Sequence, residues 1–393
     1  MGVWAMKLPE KKMLKNIDYP FVLALFAILG LSVVVMPSAA SAAAAITHID
    51  DLATRHIRSI LIGLMAIVFI LALDYRQWQK YSKYLYAGSI VMLLLVLTPF
   101  GHEAMGAQRW IDINKILPIF GGPVTFQPSE FVKVAIIIAF ADFLAKRQGN
   151  LENFKQFLPC FVFVGIPTLI VFGQDLGTSL VFIAILIGMM FIAGANAKLL
   201  FGLIAGVLAT GIGLIYAQIK WGIGILPIRQ RQLDRLTAFL DPHAYADGAG
   251  FQLIQSKVAI GSGGITGQGL FQASQIHLNF LPEKHTDFIF SVVGAELGFI
   301  GAVILLALYF FLIYRCIDIM ANAKDMFGIL MVAGVTSMML FHIFINVGMT
   351  MGIMPITGIP LPLFSYGGTS MIANLIALGI VLNVNIRRKK IIF

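Results

Sequence analysis

Charge is scarce in this chain. Of its 393 residues, 12% are Asp, Glu, Lys or Arg and 59% are hydrophobic, whereas a soluble globular domain carries about 25% charged residues. A solvated surface over most of the chain is therefore excluded. Cysteine is almost absent. Cys160 and Cys316 have no metal-ligand spacing and fall near the expected cytoplasmic ends of helices, which excludes a disulfide framework and leaves plain packing. Acid is scarcer than base, 19 residues against 28, giving a net charge of +9. Such a balance can mark nucleic-acid binding. Here Lys and Arg sit in short clusters between apolar runs, the pattern of membrane-flanking loops, so no nucleic-acid partner is expected. The chain has no soluble-domain repeat, and its low-complexity sequence is confined to the alanine-rich stretch 39–45.

What the sequence does have is long apolar runs. A span needs about 20 apolar residues, and candidates fall at 20–37, 57–73, 84–99, 131–145, 158–173, 176–194, 198–217, 286–313, 326–350 and 368–385. The expectation is an all-α integral membrane protein of about ten transmembrane helices, forming one polytopic domain over 1–393. Lys7, Lys11, Lys12 and Lys15 before the first run, and small residues after it, resemble a cleavable signal peptide. A retained first helix is preferred, because many spans follow and the count is then even. With the N-terminus inside, the inner segments hold 17 of the 28 Lys and Arg, including Arg387, Arg388, Lys389 and Lys390 near the C-terminus. Both termini are then cytoplasmic. Two outer segments are too long to be simple connectors: 100–130, and the large extracytoplasmic loop 218–285 between helices seven and eight. Both are expected to fold back on the membrane surface.

Ionisable groups at a membrane span need a partner or a function, and five places stand out, all on the expected outer side. In Gln127-Pro128-Ser129-Glu130-Phe131-Val132-Lys133, Glu130 and Lys133 share a helical face. They read either as an internal ion pair or as a substrate-binding pair. Arg109 beside Trp110 either anchors the interface or binds phosphate through its fork of donors. Asp175, in the turn before the sixth helix, suits a helix cap. Glu283-Lys284-His285-Thr286-Asp287 packs carboxylates, amine and imidazole where the long loop meets the eighth span. Desolvation there would make Asp287 a better base. The alternatives are a helix cap at Thr286 or Asp287, or a weakly supported metal site. Finally, Pro360-Leu361-Pro362-Leu363-Phe364-Ser365-Tyr366-Gly367-Gly368 looks like a broken segment lining a cavity. A cationic outer cavity with an interfacial carboxylate suits an anionic, lipid-linked substrate.

These stretches carry a resemblance. Gly106-Ala107-Gln108-Arg109-Trp110-Ile111, Phe126-Gln127-Pro128-Ser129-Glu130, Ile260-Gly261-Ser262-Gly263-Gly264, Phe280-Leu281-Pro282-Glu283, His285-Thr286-Asp287-Phe288-Ile289-Phe290, Gly358-Ile359-Pro360-Leu361-Pro362 and Ser365-Tyr366-Gly367-Gly368 together resemble the SEDS family (shape, elongation, division and sporulation). The resemblance covers nearly the whole chain. Asn279 before Phe280, and Asn346-Val347-Gly348-Met349, look more like the RodA branch than the FtsW branch, with SpoVE a further member.

The resemblance implies a peptidoglycan glycosyltransferase that polymerises lipid II onto undecaprenyl-pyrophosphate-linked glycan at the outer face of the cytoplasmic membrane. It also implies a class B penicillin-binding protein, a transpeptidase, as partner, and a role in cell shape. Asp287 matches the catalytic aspartate of the family. Glu130 and Lys133 match its buried acid–lysine pair. Glu283, His285, Thr286 and Ser365 join Arg109 as substrate-binding candidates. The implied chemistry is inverting transfer with Asp287 as general base. Arg109 and Lys133 face the pyrophosphate, and a divalent cation, Mg or Mn, is left open. The chain departs from the family pattern at Gly173 before Gln174-Asp175, at Ala295 before Glu296, and at Arg58-Ser59, so Asp175, Glu296 and Arg58 are candidates for structural or substrate-binding roles only. A lipid II flippase and a non-catalytic scaffold for the penicillin-binding protein stand as the other readings.

Overall fold

The computed structural model describes residues 16–41, 49–104, 107–112, 125–147, 151–221, 230–245, 248–278 and 280–388. The basic cluster from Lys7 to Lys15, Ala42 to Ala45, Gly106, Pro227, Asn279, Lys389 and Lys390 lie outside the described residues.

Ten long helices correspond one to one with the ten apolar runs. They are α1 (Tyr19–Ser41), α2 (Ile49–Ala72), α3 (Tyr75–Val96), α4 (Pro128–Ala145), α5 (Phe154–Phe172), α6 (Leu176–Ile192) and α7 (Ala197–Trp221), then α11 (Ile289–Ala321), α12 (Met326–Thr350) and α13 (Gly368–Ile386). Seven of them are both long and apolar enough to cross a membrane. The other three are α3, which opens on the polar turn Tyr75-Arg76-Gln77, α4, which carries Glu130, Lys133 and Asp142, and α6, which has 17 residues.

Several helices outrun their apolar stretch. Helix α2 starts at Ile49 rather than 57, and α3 at Tyr75 rather than 84, because polar first turns still close helical hydrogen bonds. Asp74 caps α3 by accepting from Arg76 N at 3.0 Å. Helix α11 starts at Ile289, three residues later than expected, and runs on to Ala321.

Between α7 and α11 the long loop begins only after Trp221. It is built of α8 (Gln230–Leu240), a turn at His243–Tyr245, α9 (Ala249–Ser262) and the short α10 (Ser274–His277). The segment after α3 brings the one departure from an all-helical fold among the described residues. Strands β1 (Gly101–Ala104), β2 (Ala107–Asp112) and β3 (Thr125–Phe126) form an antiparallel sheet in the order β1-β2-β3. The apolar-run reading did not contain this sheet, because strands this short leave little alternation to read.

Helices α12 and α13 form the centre and are mostly buried, while α7 is almost wholly exposed. Helix α13 packs on α2, α3 on α4, and α12 on both α4 and α6. The last contact is close because a Cβ at Gly188 would collide with Ser337, the small-residue approach that substitutes for hydrophobic drive between membrane helices. Cys160 and Cys316 are buried and free.

At the end of the bundle away from the sheet, charges pair with one another. Arg315 bridges Asp18 and Asp318, Lys146 reaches Asp142 at 2.6 Å, and Arg76 reaches Asp74 at 2.7 Å. The sheet end is where charge faces a cavity.

Candidate active site

Helices α4, α6 and α13 start in the wall of one cavity of about 650 Å³, α11 starts two residues after the lining residue Asp287, and α2 lines it from its second and third turns. Each helix start brings unpaired N–H groups and partial positive charge, so the convergence favours an anion. All five sequence-flagged places meet in its wall: Glu130 and Lys133, Arg109 and Trp110, Asp175, the turn carrying Glu283, Thr286 and Asp287, and the segment from Pro360 to Ser370. Arg58 lines it as well.

The acid–lysine pair forms because Gln127 and Pro128 start α4 just upstream, placing residues 130 and 133 on its inward face. Lys133 Nζ lies 2.8 Å from Glu130 Oε1, and both side chains are buried. His342 of α12 brings its Nε2 to 3.3 Å of the same amine, accepting from it. The ion pair is thus formed, and all three residues also reach the cavity wall.

Arg109 projects from β2. Its Nε donates to Gln174 O at 3.0 Å, and its Nη1 stands 3.3 Å from Asp175 Oδ2. Asp175 is the N-cap of α6, as its turn suggested, accepting from Thr178 N at 3.0 Å. The same carboxylate therefore caps a helix and orients a cavity arginine.

Asp287 is held by its backbone and leaves its carboxylate at the wall. Its N–H donates to Glu283 O at 3.1 Å, and its carbonyl accepts from Asn346 Nδ2 at 2.8 Å. The second Asn346 amide bond goes to Ile359 O, also at 2.8 Å. The turn is further tied to the broken segment: Ser365 Oγ donates to Thr286 O at 2.6 Å, and Tyr366 N donates to His285 O at 2.8 Å. Phe288, not Thr286 or Asp287, is the N-cap of α11, and no side chain caps that end. The helix-cap alternative for Asp287 is thus overturned. Burial pushes its carboxyl up to about 6, with Glu283 and Asp175 acting in the same direction and Arg235 and Arg109 opposing.

Three expected site residues lie elsewhere. His285 turns its ring toward Tyr366, with ring centroids 5.9 Å apart, and does not line the cavity. Ser365 is buried, spending its hydroxyl on Thr286 O and on the N–H of Leu361. Glu296 lies inside α11, where it accepts from Ser38 of α1 and from Phe271 N at 3.3 Å. Ser365 is thus satisfied by its neighbours, whereas Glu296 keeps one carboxylate oxygen buried without a hydrogen-bond partner among the described residues. Among the described residues no three His, Cys, Asp or Glu side chains converge as metal donors.

Sequence reading missed three contributors. Arg55 lines the cavity one turn before Arg58 and Ser59, and that i, i+3, i+4 spacing was the available signal. His342, a lone imidazole within an apolar span, met the cost criterion for ionisable groups in membranes and was not singled out. Arg235 left only the faint amphipathic pattern of Leu233, Leu236 and Leu240 around it.

Fold and site define a polytopic membrane protein with an anion-attracting cavity and one elevated carboxylate. The chain belongs to the FtsW, RodA and SpoVE family, described as "Cell cycle protein", which matches residues 17–390. It is 38% identical to the peptidoglycan glycosyltransferase MrdB of Escherichia coli K12, over 85% of this chain and 86% of that one. It is 33% identical to the peptidoglycan glycosyltransferase RodA of Treponema pallidum, over 85% and 90%. Among solved structures it resembles a chain of a peptidoglycan synthase complex that coordinates polymerization and crosslinking (TM-score 0.77, 29% identity, 95% of this chain and 99% of that one). It also resembles RodA of Thermus thermophilus (TM-score 0.68, 27% identity, 95% and 98%).

Proposed function

We propose that this protein is a peptidoglycan glycosyltransferase that polymerises lipid II by inverting transfer, with Asp287 as general base. The observation that carries the reading is the Asp287 carboxylate, held at the wall of a cavity lined by Arg55, Arg58, Arg109 and Lys133. Asp287 removes the proton from the acceptor sugar hydroxyl. That oxygen forms the new bond to the anomeric carbon of the growing chain. The bond to undecaprenyl pyrophosphate breaks, and its electron pair leaves with the pyrophosphate. One base and a good leaving group suffice for inversion, since pyrophosphate needs little protonation. Arg109, Lys133 and the converging helix N-termini stabilise the charge that develops on the leaving group. Thr286 and Glu283 border the acceptor hydroxyl, while His285 and Ser365 fix the turn that carries them.

The topology is read as one membrane domain with ten crossings, both termini cytoplasmic and the cavity facing outward in a bacterial cytoplasmic membrane. The bias of Lys and Arg toward the opposite end supports that orientation. The likeness to a synthase-complex chain supports a class B penicillin-binding protein as partner, and the RodA likeness supports a role in cell elongation. The test is polymerisation of lipid II by the purified chain, which a flippase or an inert scaffold would not perform. A chain that makes no glycan, alone or with the transpeptidase, would overturn the reading.

A further inference from the structure

Gly358 stands in the broken segment with φ +73°, a conformation that a side chain resists. Its lack of a side chain has a second consequence. A Cβ built there would lie 2.9 Å from Arg235 Nη1 and 3.2 Å from Asp287 Oδ2. The guanidinium and the carboxylate thus face each other across Gly358, within about 6 Å, well inside the roughly 8–10 Å over which salt screens charges. Arg235 is half-buried. Its hydrogen bond to Thr357 O, at 3.4 Å, anchors it beside the segment it leans over. It is not among the residues that line the cavity.

Arg235 is carried by α8, in the long loop rather than in the bundle. Leu233, Leu236 and Leu240 recur at helical spacing, Thr237 and Ala238 are buried, and α8 packs on α9 and on the turn at His243–Tyr245. Helix α9 leads into a glycine-rich strap that is locked into α11. Helix α11 breaks at Gly298 (φ 63°), and the strap repairs the break. Gln268 N and Gly269 N donate to Ala295 O and Glu296 O at 3.0 Å, while Phe299 N and Ile300 N donate to Gly264 O and Ile265 O. The half-helix before that break begins two residues after Asp287. Loop and carboxylate are therefore joined twice, through the strap and through Arg235.

We propose that Arg235 is the positioning residue of Asp287, through which the loop helix α8 sets the readiness of the carboxylate for proton transfer. This rests on the reading of Asp287 as base. The groups facing Asp287 are Arg235 from α8, Glu283 from its own turn, Arg109 from β2 and Asp175 from the start of α6. Burial, Glu283 and Asp175 favour the protonated form, and the two arginines oppose them. Of the two, Arg235 has the larger effect. Without it the carboxylate holds its proton to higher pH, and an ionised base is what transfer requires.

The test is the pH profile of lipid II polymerisation by the full-length chain. Arg235→Gln should move the acid limb upward by roughly one pH unit, the lower end of what an opposite charge at this range does. Arg235→Lys should return the limb toward the wild-type position. Arg235→Met keeps the apolar stem and should reproduce the shift, which covers the case in which the Gln variant fails to fold. Limbs that superimpose, or a rate loss that Lys does not repair and that leaves the limb in place, would overturn the inference. Full activity of Asp287→Ala would instead overturn the underlying reading, so the two failures are distinct.

Discussion

Asn346 donates through one amide nitrogen to the main-chain carbonyls of Asp287 and Ile359, both at 2.8 Å. A single buried side chain on α12 thereby ties the turn that carries Asp287 to the chain just before the broken segment. Asn346→Ala removes both bonds and leaves two carbonyls unpaired, at about 1–3 kcal/mol each. Because small misplacement of a reacting group can cut a rate by on the order of 100-fold, the polymerisation rate should fall steeply while the variant remains folded. Initial rates, with thermal unfolding alongside, check this. An unchanged rate would show that Asn346 does not position the turn.

The acid–lysine pair makes a sharper contrast. Glu130 and Lys133 are buried 2.8 Å apart, and breaking a buried pair by removing one partner costs about 3–5 kcal/mol, while replacing both can be nearly neutral. Lys133→Met should therefore lower the melting temperature more than Glu130→Gln with Lys133→Met together. Both should lose most polymerisation, since Lys133 also faces the cavity. A double variant less stable than the single one would contradict the pairing.

The pH dependence follows from Asp287. Its carboxyl is raised to about 6 by burial, and with its ionised form as the proposed base, activity should be present above that pH and lost as pH falls through it. Below pH 6 the rate should drop by about tenfold per unit. A rate that stays flat to pH 4.5 would exclude a base with this elevation.

Much of this site was legible in the sequence, and what was not has physical reasons. Costly ionisable residues at span ends picked out Glu130, Lys133, Arg109, Asp175 and Asp287, and the cavity gathers them all. Spacing could not tell which members of the 283–287 cluster face it, because a turn has no fixed face. His285 therefore fell among the expected contacts although its ring turns toward Tyr366, and Ser365, expected there from the family resemblance, spends its hydroxyl on Thr286 O and the N–H of Leu361. Arg235 escaped because its approach to Asp287 depends on where the long loop docks, a matter of tertiary packing. The ten helices were recoverable from apolar runs alone, but the polar first turns of α2 and α3 and the short strands β1 to β3 were not.

The strap offers a mutational check on the loop. A Cβ at Gly267 would collide with Glu296 O in α11, whereas one at Gly30, within α1, meets nothing within 4 Å. Gly267→Ala should destabilise by roughly 1–3 kcal/mol, the range for overpacking, and slow polymerisation, whereas Gly30→Ala should leave both unchanged. Melting curves and rates for the pair decide it, and equal behaviour would show that the interlock carries no strain.

The most direct measurement is lipid II polymerisation by purified wild type and Asp287→Asn, a near-isosteric change that removes the base and keeps the turn. Asp287 as general base predicts glycan strands from the wild type and a loss of at least 100-fold in the variant, on the order of what a positioned base contributes. Strands formed by Asp287→Asn at the wild-type rate would contradict it.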